Sequence, residues 1–267
     1  MATYTGVADA NGDFTVSFGT DAYTGGQKVI VTAEKDSATK SIELHAPSEV
    51  VGGGVIKFSG TLDNFPNNIG VVTLTQISGA IGQYCFASNN NNDSIWRKAT
   101  GLVFENQATS IGAYAFMEWT LAKTITLPNT LTSIETFAFN GWVSALGLTI
   151  PNSVLTIGVG CFQFWQAAKS LVVGNGVAAI TDNCFYGWSQ CLTADFGSGV
   201  RSFGANSCAS WSSCDQIIIR ATTPPSMFLS AFSGLKSTCI FKVPAASVAA
   251  YQAAESWSTF ASRIQAI

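Results

Sequence analysis

The residue types that carry most enzyme chemistry are scarce in this chain. His45 is the only histidine among 267 residues, and it lies near the end of a strand-like stretch, SIELHAPSE. A Ser–His–Asp triad or a histidine-ligated metal site needs an imidazole that other groups orient, so a lone strand-end histidine argues against both. The GGG at 52–54 lacks the lysine and the strand-to-helix context of a phosphate-binding loop. The sequence therefore predicts no catalytic residue, no cofactor and no metal.

Aromatic residues are the second group that could do chemistry, because their rings can stack on sugars or on one another. Exposed ring faces at a regular spacing would form a platform for a glycan, whereas buried rings would pack as an offset ladder along the core. The residues alone leave both arrangements open. Six of the seven tryptophans recur every 23 residues, namely Trp96, Trp119, Trp142, Trp165, Trp188 and Trp211.

The same period organises the chain from about residue 70 onward. Four successive 23-residue units between 111 and 202 begin IGAYAF, IETFAF, IGVGCF and ITDNCF. Six residues after each tryptophan comes a short segment with period-2 alternation, and an Asn or Ser turn follows it. A unit this short cannot bury its apolar face alone, but it can when stacked on a neighbour. We therefore predict a mainly β solenoid of about seven coils, with one short strand per coil.

The middle residue of each predicted strand points away from the core, which creates an outward stripe along the solenoid. The stripe is nearly uncharged, and two interpretations stay open: a bland sheet face, or a flat receptor-binding surface. Its members are Val103, Thr126, Thr149, Val172, Asp195 and Ile218.

The first coil carries an insertion of seven residues, because ten steps separate Phe86 from Trp96 where later units have three. Such a loop is usually a tolerated surface insertion, and the alternative is a binding loop. Its polar residues are Asn89, Asn90, Asn91, Asn92 and Asp93.

The cysteines occupy positions at which other units have core residues. Cys161 and Cys184 stand where two units have Ala115 and Ala138. Because Cys and Ala exchange readily at small buried sites and no CxxC motif is present, we predict reduced thiols without a zinc site. Cys208 stands where four units have Phe, so the sequence predicts a weak coil that Cys208→Phe should stabilise.

Composition excludes two kinds of partner. Only 11% of residues are charged, the net charge is −3 and no basic run exists, so we expect no nucleic-acid binding. No segment approaches 18 uninterrupted apolar residues, so we expect no membrane span. The start, MATYTGVADANGDF, lacks the basic and apolar regions of a signal peptide, which we interpret as retention in the cytosol, another export route or a fragment.

The pattern from about 70 to 267 resembles the BspA-like leucine-rich repeat of bacterial surface proteins. That family has an IGxxAF turn and an IPxSV strand-turn, which Ile111-Gly112, Ala115-Phe116, Ile150-Pro151 and Ser153-Val154 match. This chain has Trp where the family often has a small buried Cys, and that resemblance favours the buried ladder over the glycan platform. The segment from Pro244 resembles the family's terminal cap, in which Ala249, Tyr251 and Trp257 would cover the last coil.

The N-terminal segment resembles the later strands of bacterial immunoglobulin-like domains. The prediction is thus a partial immunoglobulin-like antiparallel β module at 1–47, a linker at 48–54, the leucine-rich-repeat solenoid at 55–243 and a helical cap at 244–267.

These resemblances imply a non-enzymatic recognition or adhesion protein. The expected setting is a bacteriophage tail fibre in the virion, assembled in the host cytoplasm. There the solenoid would bind a bacterial surface protein or glycan, and residues 1–47 would bind other tail proteins. A bacterial cell-surface adhesin is the alternative, and an enzyme of unknown type is a distant third.

Overall fold

The structure is a computed structural model that describes residues 3–5, 14–18, 28–35, 38–45, 54–58, 68–88 and 94–267. It contains nineteen strands within these ranges, one α-helix and three short 3-10 helices. The strands are β1 (Thr3–Thr5), β2 (Phe14–Phe18), β3 (Lys28–Lys35), β4 (Ala38–His45), β5 (Gly54–Phe58), β6 (Gly70–Ile81), β7 (Ala99–Ile111), β8 (Thr124–Thr126), β9 (Ser133–Ile134), β10 (Gly147–Ile150), β11 (Thr156–Ile157), β12 (Ser170–Val173), β13 (Ala179–Ile180), β14 (Thr193–Phe196), β15 (Ser202–Phe203), β16 (Gln216–Ile219), β17 (Ser226–Met227), β18 (Ile240–Val243) and β19 (Ile264–Ala266). The α-helix is α1 (Val248–Ala253), and the 3-10 helices are Ile95–Lys98, Ala245–Ser247 and Glu255–Arg263.

The strands before residue 60 pair mostly in antiparallel fashion. β3 and β4 form a hairpin in which Lys28 lies opposite His45, and β1 joins β3 in parallel. β2 pairs with β5, and β5 pairs with β6, the first long strand of the repeat region. Strands on both sides of the predicted linker therefore pair with each other. The immunoglobulin-like module and the predicted domain boundaries stay predictions.

From β6 onward the chain stacks strands in parallel, and the alignment follows the period of 23. The longer strands form the first ladder, in which Leu148, Leu171, Ala194 and Ile217 are successive register partners. The residues of this ladder alternate between buried and exposed, as the period-2 pattern predicted. Six stacked strands make up its C-terminal part, in the order β10, β12, β14, β16, β18 and β19.

A second ladder was missed by the prediction of one strand per coil. It runs through the Ile that recurs every 23 residues: Ile111, at the end of β7, pairs with Ile134, and Ile134 pairs with Ile157. From β9 onward its strands are two residues long. Farther along, β13 pairs with β15 and β15 with β17. Two residues are too few for an alternation to be recognised in sequence, which explains why the ladder was not predicted.

Aromatic side chains fill the space between the ladders. The phenylalanines five residues after each Ile stack on one another, with centroid distances from 5.1 Å for Phe86–Phe116 to 5.7 Å for Phe162–Phe185. Their rings are buried, as are the isoleucines of the second ladder. The repeated core therefore provides the same apolar contacts at every coil interface.

The coil at Cys208 solves its packing in a different way from the others. Phe203 replaces the usual Ile, and its ring contacts Phe196 and Phe232, each at a centroid distance of 5.1 Å. Cys208 is fully buried beside this altered arrangement. The aromatic ring has thus moved from one inward position to another, which gives a structural reason to expect the opposite effect of Cys208→Phe from the one that the sequence predicted.

The C-terminal segment covers the last coil with a short helix and a final strand. The Nε1 atom of Trp257 donates to the carbonyl oxygen of Pro225 at 2.7 Å, and the Tyr251 hydroxyl donates to that of Ala221 at 2.8 Å. Both rings are buried, whereas Ala249 is exposed and does not cover the coil as predicted. β19 then extends the first ladder by pairing Ile264 with Phe241.

Candidate binding face

The tryptophan series lies inside the coils. Trp119, Trp142, Trp165, Trp188 and Trp211 have no exposed surface, and 6% of Trp96 is exposed. From Trp96 to Trp188 neighbouring indoles stack nearly parallel, for example with 5.4 Å between the centroids of Trp119 and Trp142. Each of these five indoles also meets a phenylalanine of its own coil edge-on, as Trp142 meets Phe139. In this arrangement the ring faces contact each other and offer no surface for a sugar.

From Trp119 to Trp211, a hydrogen bond fixes each indole to the coil before it. The Nε1 atom of Trp142 donates to the carbonyl oxygen of Phe116 at 2.6 Å, and that of Trp165 donates to Phe139 at 2.7 Å. The same bond recurs for Trp119, Trp188 and Trp211. Because a buried indole N–H needs an acceptor, this repeated bond explains how a Trp series is tolerated in a core.

The outward stripe of the first ladder lies at the surface, and we call it the strand face. Thr126, Thr149 and Val172 are exposed, and Val103, Asp195 and Ile218 are half-buried. The residues that flank each of them in the strand point inward, apart from the half-buried Ile125.

Three residues of the strand face, Thr149, Val172 and Asp195, line one groove. The groove has a volume of about 540 Å³, and a row of turn asparagines borders it. We call it the asparagine groove. Polar side chains and one exposed apolar side chain, that of Val172, line it. The residues are Asn129, Thr149, Asn152, Val172, Asn175, Asp195 and Arg220. Val103, Thr126 and Ile218 do not line it.

The turn asparagines are held by the backbone of the next coil. Asn175 N–H donates to Asn152 Oδ1 at 2.8 Å, and Ser198 N–H donates to Asn175 Oδ1 at 2.9 Å. These bonds satisfy turn N–H groups and fix which end of each amide is the oxygen. The asparagines were read in sequence as turn formers alone, and their second role as groove walls was missed.

Arg220 is the other groove residue that the sequence analysis missed. Its Nε and Nη2 atoms donate to the two carboxylate oxygens of Asp195 at 2.8 Å and 2.7 Å. The Asp195 carboxylate raises the pKa of Arg220 above its ordinary value, through these hydrogen bonds first and through charge second. A signal was present: Arg220 lies two residues after Ile218 on the same side of the strand, and the previous coil has Gly197 at its position, which leaves room.

An aromatic stack at the edge of the first coils was also missed. The rings of Tyr84 and Tyr114 stack at 4.7 Å, and those of Tyr114 and Phe137 at 5.4 Å. All three residues adopt positive φ, and the series ends at Gly160, which shares their backbone conformation. The sequence signal was the aromatic residue two positions before each core Phe, in YCF, YAF and FAF.

The alternative binding loop, Asn89, Asn90, Asn91, Asn92 and Asp93, lies outside the described residues. Its role stays a prediction.

All seven cysteines are free and buried. Burial raises the pKa of the Cys161, Cys184 and Cys208 thiols above the ordinary value. A hydrogen bond with Cys191, followed by burial, raises the pKa of Cys214 to about 12. These thiols are protonated near neutral pH and are poor nucleophiles.

No group of three or more His, Cys, Asp or Glu side chains in the described ranges is arranged to hold a metal ion. None of the helices in these ranges is long and apolar enough to cross a membrane.

Comparison with known proteins identifies the repeat. Residues 80–218 match the BspA type leucine rich repeat region, in six copies. The chain therefore belongs to the BspA-type leucine-rich repeat family. No curated protein sequence matches the chain.

Several solved structures are similar. A T. pallidum leucine-rich repeat protein is 18% identical with a TM-score of 0.39, and the match covers 54% of this chain and 83% of that one. The pneumococcal vaccine antigen PcpA is 17% identical with a TM-score of 0.45, covering 88% of this chain but 48% of that one. A leucine-rich repeat protein from Bacteroides ovatus is 16% identical with a TM-score of 0.32, covering 69% and 64%.

Proposed function

We propose that the chain is a non-enzymatic recognition protein whose strand face binds a receptor on a bacterial surface. The asparagine groove carries this proposal, because it gathers exposed side chains from successive coils onto one rigid ladder. Repeat solenoids typically use such extended laddered surfaces for binding. Membership of the BspA-type family supports the same class of function.

The side chains that line the groove support binding rather than catalysis. The described groove residues include one carboxylate, Asp195, and Arg220 already occupies both of its oxygens. A general acid or base needs an oxygen that can exchange a proton with a substrate, and a nucleophile needs a neighbouring base. Neither arrangement exists among the residues that line the groove.

The test measures binding of the labelled full chain to a panel of Gram-positive and Gram-negative cells by flow cytometry. Thr149→Arg combined with Val172→Arg should abolish binding, because both side chains are exposed in the groove and two long cations would fill it. Thr156→Arg combined with Ala179→Arg is the matched control, because both positions are exposed on the second ladder. Equal loss in both double variants, or none in either, would refute the strand face as the binding surface.

Two settings are candidates for this recognition protein, a bacteriophage particle and a bacterial cell surface, and each is supported by a different observation. Seven free buried cysteines favour assembly in a reducing cytosol, as for a tail protein of a bacteriophage that lysis releases, with residues 1–47 contacting other tail proteins. The BspA-type repeat favours display on a bacterial cell surface as an adhesin. Mass spectrometry of purified phage particles and of the bacterial surface fraction separates them: the virion contains the chain in the first case, and the cell surface in the second.

A further inference from the structure

We infer that the ligand of the asparagine groove is a neutral, hydroxyl-rich glycan chain that lies across successive coils. The inference rests on the proposed function and names the ligand class of the same site. It depends on three features of the groove: its hydrogen-bond donors, its charge and its exposed apolar surface.

The donors come from the turn asparagines. Asn152 and Asn175 use their Oδ1 atoms to accept from the next coil, so the –NH₂ end of each amide is left over. Neither Nδ2 atom donates a hydrogen bond within the part of the chain that the structure describes. Both side chains are exposed and line the groove, so each offers two N–H donors in a fixed orientation to an oxygen-rich ligand.

The charge of the groove argues against an anionic ligand. Asp195 and Arg220 are the charged residues that line it, and they form a bidentate pair at 2.8 Å and 2.7 Å. A site for phosphate or carboxylate would instead keep an arginine fork free for the ligand. A compensated pair favours a neutral ligand that accepts single hydrogen bonds.

The exposed apolar surface suits the carbon face of a sugar. Val172 lies in the groove with 43% of its surface exposed, and the Thr149 hydroxyl lies one coil away. A pyranose presents hydroxyls at its edge and C–H groups on its faces, so a mixture of amide donors and a valine matches both. Equivalent groups recur at the coil spacing of about 4.8 Å, which favours a polymer over a single sugar.

A peptide strand fits this groove less well. β12 pairs with β10 on one side and with β14 on the other, and β14 pairs in turn with β16, so β12 and β14 have no free edge under the groove. Addition of a strand needs unpaired backbone N–H and C=O groups. Recognition over β12 and β14 therefore uses side chains.

The decisive variants exchange an amide for an acid of the same shape. Asn152→Asp combined with Asn175→Asp keeps an oxygen to accept from the next coil but removes the N–H donors. Asp182→Asn is the matched control, because Asp182 also accepts from the next coil, at Ala205 N–H, but lines a different groove on the second ladder. Melting temperatures of all variants establish that they fold.

Binding is measured on an array of neutral and acidic bacterial polysaccharides, and on cells treated with periodate or with protease. We expect the chain to bind neutral polysaccharides with an affinity that added salt does not lower. Periodate treatment of the cells should abolish binding, and protease treatment should not. The double variant should bind about tenfold more weakly, since two hydrogen bonds are lost, and Asp182→Asn should be unchanged.

Three outcomes would overturn the inference. Cell binding that protease removes and periodate spares would identify a protein receptor, and the proposed function would stand. Preference for acidic polysaccharides, with strong weakening by salt, would identify an anionic ligand. Absence of binding to every cell and every polysaccharide would remove the proposed function as well.

Discussion

At the scale of single residues, the tryptophans combine packing with hydrogen bonding. Trp142 is fully buried between Trp119 and Trp165, and its N–H bonds to the previous coil. Its removal leaves both a cavity and a carbonyl oxygen without its donor. The tryptophan series is therefore a structural element of the core.

We expect Trp142→Ala to lower the free energy of unfolding by about 3–5 kcal/mol, the usual cost of truncating a buried large aromatic. Urea unfolding measures this loss. Leu146→Ala is the control, because Leu146 is 52% exposed in the same coil and should cost less than about 0.5 kcal/mol. Similar values for the two variants would contradict the burial of the indole.

Cys208→Phe should lower the melting temperature. The side chain of Phe203 has taken the aromatic role in this coil and packs against Phe196 and Phe232. A second ring at the fully buried position 208 would overpack the core, which usually costs about 1–3 kcal/mol. The sequence alone predicted the opposite sign, so differential scanning calorimetry of this variant distinguishes the two. Cys208→Ala provides a comparison without overpacking.

At the scale of the element, neighbouring coils approach closely at the turns after the first ladder. Gly174 and Gly199 pack against the backbone of the previous coil, next to the asparagine hydrogen bonds. A Cβ atom on Gly199 would lie 1.9 Å from the carbonyl oxygen of Asn175. The glycine is needed for this contact, because the backbone beneath it cannot move without breaking the stack.

We expect Gly199→Ala to lower the melting temperature by several degrees, since either the turn or the coil spacing must change. Ser198→Ala is the matched control at the neighbouring position, which is exposed and keeps its backbone hydrogen bond to Asn175. Circular dichroism melts compare the two variants. An unchanged Gly199→Ala melt would show that the turn has room to relax.

The predictability of these elements from sequence depended on how often a signal recurs. The first ladder was predicted because its alternation spans three residues and repeats in register, as at Leu148 and Leu171. The second ladder was not, because a two-residue strand has no alternation to detect. Of the asparagine groove, Thr149, Val172 and Asp195 followed from the strand period. The side of the strand on which Arg220 lies also follows from that period, but its pairing with Asp195 does not, because the pair joins different coils.

At the scale of the whole molecule, buried thiols couple stability to pH. The pKa values of Cys161, Cys184 and Cys208 are raised by burial, and that of Cys239 is raised by its hydrogen bond with Cys214 and by burial. The unfolded chain loses these protons first as the pH rises through about 8.5 to 9. Above that range the unfolded state binds fewer protons than the folded state, so stability falls.

We expect the free energy of unfolding to be flat from pH 7 to about 8 and to decrease above pH 9, by up to about 1.4 kcal/mol per thiol for each pH unit. Urea unfolding at a series of pH values, under reducing conditions, measures the slope. Cys161→Ala combined with Cys184→Ala should make the slope shallower, because two of the buried thiols are removed. The variant should still fold, because Ala115 and Ala138 already occupy the equivalent positions in other coils. The same slope in this double variant as in the original chain would contradict the role of the two thiols.

The bond from each indole to the coil before it also bears on how a gene for such a protein can change. Every junction between regular coils uses the same donor, the same acceptor and the same stacked rings. Loss of residues 146–168 would join Ala145 to Lys169 and bring Trp188 to the carbonyl oxygen of Phe139 in place of Phe162. Unequal recombination can therefore shorten or lengthen the chain by whole units without creating a new junction, and each such event shortens or extends the strand face by one coil.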